Sequence, residues 1–146
     1  MNPYDSQMAA RVWQRVQTNQ EPADLSGEVL LLLSEEAEDT ALYHRLLKNA
    51  GKGKSGILEN LSRSSQQSLS ILRGIYYLIT GSYPTPVPTQ VSVSPASLRL
   101  CYGSTLRRSS RYGQWCSHHE YASAFAQLET LARQRCVSLL QLIGTP

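Results

Sequence analysis

Long apolar runs are missing from this sequence. The longest uncharged ones reach five residues, as at 29–33 (VLLLL), far short of the ~20 residues that a bilayer-crossing helix needs. The opening residues, MNPYDSQMAARVWQRVQ, lack the apolar block of a signal peptide and carry an acid early, so the expected location is cytoplasmic. Phenylalanine occurs once and cysteine three times. Cys101, Cys116 and Cys136 show no paired spacing, which suits a reducing compartment. A phosphate cradle is also missing, because GKGKSG at 51–56 lacks both the spacing and a preceding strand. No serine has a histidine and an acid at a known catalytic spacing, so hydrolase chemistry has no support. A formal charge of +3 is too small to point to nucleic acid as a partner.

What remains is a 146-residue chain, 41% hydrophobic and 17% charged, with the balance of a single globular domain (residues 1–146) that can bury a core. A short helix is expected over 5–18, with Met8, Val12 and Val16 on its apolar face, before a break at TNQEPA. Asp24 or Ser26 then caps a long helix over 24–48, which ends at Asn49, Ala50 and Gly51. Ser55 caps a second helix over 55–80. Residues 82–94 (SYPTPVPTQVSVS) hold three prolines and no helical pattern. As an extended polyproline-like path they span roughly 40 Å, enough to travel the length of a bundle helix. Ser94-Pro95 starts a third helix over 95–115, and a fourth occupies 121–143. Two short turns separated by one long connection give the topology of a ferritin-like four-helix bundle. That all-α architecture is the expected fold.

Each helix carries an inward seam at steps of three and four. The first reads Val29, Leu33, Glu36, Thr40, Tyr43, Leu47, and the second Leu58, Leu61, Ser65, Ser68, Leu72, Ile75, Ile79. The third reads Leu98, Cys101, Thr105, Arg108, Tyr112, Trp115, and the fourth Phe125, Leu128, Ala132, Arg135, Leu139, Leu142. The apolar lines are interrupted at matching heights by Glu36, by Ser65 and Ser68, by Thr105 and Arg108, and by Arg135 with Ser138 nearby. An unpaired carboxylate on such a line costs several kcal/mol, so Glu36 needs a metal, a cation or water.

LLLSEEAEDTALYHRLLK, NLSRSSQQSLSILRGIYYLITG and HEYASAFAQLETLARQRCVSLLQLIG resemble the first, second and fourth helices of small ferritin-like, rubrerythrin-related bacterial proteins. The resemblance implies a di-iron centre that handles oxygen, peroxide or stored iron. Its Glu-x-x-His positions fall here on Ser65 and Ser68 in the second helix and on Arg135 and Ser138 in the fourth. Its third-helix acid falls on Thr105. Only Glu36 keeps a ligand type. Hydroxyls and a guanidinium do not replace carboxylate and imidazole at iron. The expectation is therefore a core without metal or cofactor, in which Arg135 or Arg108 pairs with Glu36 while Ser65, Ser68 and Ser138 supply hydrogen bonds.

Several further residues admit more than one reading. Glu35, Glu38 and Asp39 read as a solvated face, with an offset metal site as the alternative, and His44 reads as a rim residue. Cys116, His118, His119 and Glu120 are zinc-capable but form one compact cluster, whereas structural zinc draws on well-spaced elements. Arg99, Arg107, Arg108 and Arg111 read as a solvated face rather than a stripe for nucleic acid or an acidic partner. Tyr76, Tyr77, Tyr102 and Tyr112 read as packing residues. The leading functional expectation is a non-catalytic binding or structural module, without catalytic residues and dimerising through an apolar helix face. Its rival is a rubrerythrin-like iron-binding oxidoreductase that uses Glu36 with Glu35, Asp39 or His44.

Overall fold

A computed structural model describes residues 21–85, 90–117 and 120–146, with side chains from residue 25 onward. The helix expected over 5–18 lies outside the described residues. The described part is helical and holds no strand: α1 (Glu21–Leu47), α2 (Lys52–Thr80), α3 (Ser97–Gln114) and α4 (Ala122–Ile143), with a single 3₁₀ turn at Trp115–Ser117.

Helix starts differ from those the caps suggest. Among the described residues the first helix spans Glu21–Leu47, so Asp24 and Ser26 lie inside it instead of capping it. The second helix begins at Lys52 with Gly51 as N-cap and no side-chain cap. Ser55 lies inside the helix, its N–H bonded to the Gly51 carbonyl at 3.0 Å. The third helix begins at Ser97 rather than 95. Ser94 still works at that end: its hydroxyl accepts the Ala96 N–H at 3.3 Å, and its own N–H reaches the Ser97 hydroxyl at 2.8 Å. At the other end of α2, Gly81 has φ +81° and donates its N–H to the Tyr77 carbonyl at 2.7 Å. That left-handed stop favours glycine because no Cβ meets the backbone.

Close packing joins α1 to α2, α3 to α4, and α2 to α4. The contacts fix directions. Thr40 meets Ser65 and His44 meets Ser62, so α1 and α2 are antiparallel. Gly113 approaches Glu129, as antiparallel α3 and α4 require. Arg135 reaches Ser64 and Ser68, while Gly53 faces Thr145, so α2 and α4 also oppose each other. Asp39 with Thr105 and Tyr43 with Cys101 set α1 antiparallel to α3. It follows that α2 and α3 run the same way, and the connection between them travels the length of the bundle.

Two apolar clusters form the core. One gathers Leu25, Val29, Leu32, Leu72, Phe125 and Leu128 with their neighbours. The other gathers Leu42, Tyr43, Leu58, Leu61, Leu139 and Leu142. Between them lie the buried polar residues Glu36, Asp39, Thr40, Ser65, Ser68, Thr105, Arg108 and Arg135. The seams hold along most of their length. Only end positions such as Leu47, Ile79, Leu98 and Trp115 are half-buried.

Candidate functional site

Glu36 is the centre of the polar layer. It has no exposed surface, because its step on α1 aims it between the two leucine-rich clusters. One carboxylate oxygen, Oε2, accepts the Tyr112 hydroxyl at 2.7 Å and Arg135 Nη2 at 2.6 Å. Arg108 Nε lies 3.4 Å from the same oxygen. Arg135 comes from α4, diagonally across the bundle, and its Nη1 donates to Ser64 at 2.9 Å and Ser68 at 3.1 Å. Arg108 comes from α3. Its Nη2 pairs with Asp39, while its Nη1 reaches Ser104 at 3.2 Å and Glu35 at 3.5 Å. Both arginines named as partners for Glu36 therefore converge on it.

The hydroxyls divide the remaining work. Thr40 and Ser65 share a hydrogen bond of 2.6 Å, and Thr40 also donates to the Glu36 carbonyl at 2.8 Å. Thr105 turns back to the Cys101 carbonyl at 2.8 Å and touches Asp39 at 3.5 Å. Ser138 departs from the expectation. It is half-buried and adds no hydrogen bond to the layer. Next to solvent-facing Val137, it sits off the line that Arg135 and Leu139 define.

Two solvated faces also need correction. Asp39 is buried and Glu35 half-buried, leaving only Glu38 exposed among the three. Arg108 has no exposed surface, while Arg99 and Arg107 face solvent. Arg111 is partly covered, holding Glu28 through Nε at 3.0 Å and Nη2 at 2.9 Å, and Glu35 through Nη1 at 3.3 Å. Thus α1 and α3 face each other through a ladder of acids (Glu28, Glu35, Glu36, Asp39) and arginines (Arg108, Arg111). The sequence signal was Asp39, three residues after Glu36 and so on the same side of the helix, combined with Arg108 and Arg111 at the same spacing on α3.

Burial governs the ionisation of this layer. It pushes the Asp39 carboxyl up from 3.8 to about 6, with the Arg108 guanidinium pulling down and the Glu36 charge adding to the rise. For Arg108 burial acts to lower the pKa, but Glu36 and Asp39 outweigh it and the guanidinium stays charged. The Tyr112 phenol is raised by burial and by the Glu36 charge. Burial and then Asp39 push the Cys101 thiol up to about 12, so it is no nucleophile.

A carboxyl with a raised folded-state pKa stabilises the fold while it is protonated. The Asp39 contribution is complete below about pH 4 and is lost as pH rises through about 6. In urea unfolding at a series of pH values, the stability gap between wild type and Asp39→Asn should change by on the order of 3 kcal/mol between about pH 4 and pH 7. A constant gap would mean that Asp39 does not titrate in that window.

No family model, curated protein or solved structure matches this chain. The chemistry of the site therefore rests on its own residues. The di-iron centre implied by the resemblance does not fit them. One oxygen of the Glu36 carboxylate is taken by two guanidinium groups and a phenol. Permanent cations at that point repel a metal ion, and serine and threonine hydroxyls are weak neutral ligands. Among the described residues, no three His, Cys, Asp or Glu side chains converge as metal ligands do. His44 is exposed, and its Nε2 is engaged by Ser62 at 2.8 Å and Gln66 at 3.2 Å. Cys116 is half-buried with its Sγ on Glu129 and on the Tyr112 carbonyl, Glu120 is exposed, and His118 and His119 lie outside the described residues. Of the tyrosines, Tyr112 is fully buried, Tyr76 and Tyr102 are half-buried, and Tyr77 is exposed and stacked on Tyr83 at 4.6 Å.

No helix among the described residues is long and apolar enough to cross a membrane.

Proposed function

We propose that this chain is a ferritin-like bundle whose metal layer has been replaced by a guanidinium–carboxylate layer, and that it serves as a non-catalytic binding or structural module. The observation that carries the reading is the pairing of Glu36 with both Arg135 and Arg108 in the buried centre of the bundle. Two fixed cations face two acids, Glu36 and Asp39, so the layer balances its charge without a metal. The parallel course of α2 and α3, with a long connection between them, supports the ferritin-like part of the reading.

Metal analysis tests it. Protein produced with iron and with zinc supplied, then dialysed, should hold far less than one metal ion per chain, and its helical circular dichroism should survive a strong chelator. A structural metal would behave otherwise, since its removal takes away folding free energy. Stoichiometric iron that disappears in Glu36→Gln would overturn the proposal in favour of an iron-binding oxidoreductase. Zinc lost on changing His118 and His119 would place a metal site in the turn before α4.

A further inference from the structure

Two open pockets that share Arg45 lie near the α1–α2 turn. One, of about 770 Å³, is lined by His44, Arg45 and Lys48 together with Gln90 and Ser92 of the crossover. The other, of about 590 Å³, is lined mainly by apolar side chains, including Leu46, Leu58, Val93, Leu98 and Leu142, with Lys54 as its second cation. Arg45 lines both, and its Nη1 donates at 3.0 Å to the carbonyl of Val91, which lines the first. Among the described residues, no aspartate or glutamate side chain lines either cavity. That is an unusual segregation in a chain whose 14 basic residues are nearly matched by 11 acids.

The simplest explanation is that basic residues at the end of α1 offset its dipole. A helix C-terminus carries roughly half a negative charge, which accounts for one cation and leaves the others unbalanced. The volumes fall in the range of small-molecule sites, about 300–1,000 Å³, where an apolar wall and a few polar groups fix the ligand. A polar pocket that shares Arg45 with a leucine-lined one matches a molecule with a charged head and a hydrocarbon tail.

We infer that the paired cavities bind a single-chain amphiphilic anion, a fatty carboxylate, with its head among Arg45, Lys48 and His44 and its chain among Leu46, Leu58, Leu98 and Leu142. This deepens the binding-module reading by naming a ligand class. The two fail separately, since metal content decides that reading and carboxylate titration decides this one.

The test is displacement of a fluorescent fatty acid from the full chain by decanoate, dodecanoate, dodecanol and inorganic phosphate. Decanoate and dodecanoate should compete saturably at one site, with affinity rising about threefold to fourfold per added methylene. Arg45→Gln and Lys48→Gln should each weaken dodecanoate binding about tenfold, the worth of a charge-assisted hydrogen bond. Val93→Glu, which puts a carboxylate at the apolar chamber, should weaken it at least as much. All three positions are surface-exposed, so thermal unfolding should change little, with Arg45→Gln losing at most its bond to the Val91 carbonyl, and would expose any variant that merely misfolds. The inference fails if dodecanoate does not saturate, if the three substitutions leave its affinity unchanged, if dodecanol competes as well as dodecanoate, or if phosphate alone displaces the probe.

Discussion

Arg135→Met should destabilise the protein by about 3 kcal/mol, near the low end of what breaking a buried ion pair costs. The loss comes less from the missing contact than from the charge left behind. Glu36 would keep the Tyr112 hydroxyl at 2.7 Å and Arg108 Nε at 3.4 Å, but two buried acids would then share one buried guanidinium. Adding Glu36→Gln restores the balance, because Arg108 and Asp39 remain paired with each other. The double variant should recover much of the loss, since replacing both members of a buried pair is often close to neutral. Urea unfolding of the two single variants and the double gives the coupling directly. Additive losses would show that Arg135 stabilises the fold by packing its stem against α2, independently of Glu36.

Phe125→Ala should cost about 3–5 kcal/mol, the usual range for emptying a buried aromatic site. Phe125 is the only phenylalanine in the chain and has no exposed surface. Its ring centroid lies 6.4 Å from Tyr112 and 6.0 Å from Trp115. The loss should differ in kind from that of Arg135→Met. It leaves a cavity rather than a charge, so no neutralising second substitution should reverse it, and it should persist across pH. Because Tyr112 also donates to Glu36, loosening the ring contact should weaken the polar layer as a secondary effect. If Phe125→Ala cost under about 1 kcal/mol, the site would have collapsed around the smaller residue.

Helical spacing alone placed most of the candidate site. Steps of three and four return to the same face of a helix, so Glu36, Ser65, Ser68, Thr105, Arg108 and Arg135 had to lie on inward lines if the four segments packed together. The cost of an unpaired buried carboxylate then required a cation near Glu36. The helix ends were less legible. Gly51 stands at a helix start that carries no side-chain cap, so no capping residue type in the sequence marks that boundary.

Tertiary structure decided which side chains meet. Spacing fixes the face that a residue occupies, but not the helix that stands opposite it. Because α2 and α3 run the same way, α3 lies antiparallel to α1, and Arg108 and Arg111 come to face Glu28, Glu35 and Asp39. That is why an acidic flank that reads as solvated becomes part of the interior. It is also why both arginines reach Glu36, while Ser138, a step aside from the inward line, does not join them. Periodicity is a local property of the chain, written in the sequence. The partner across the core depends on how distant segments are ordered in space, and only the folded bundle supplies that order.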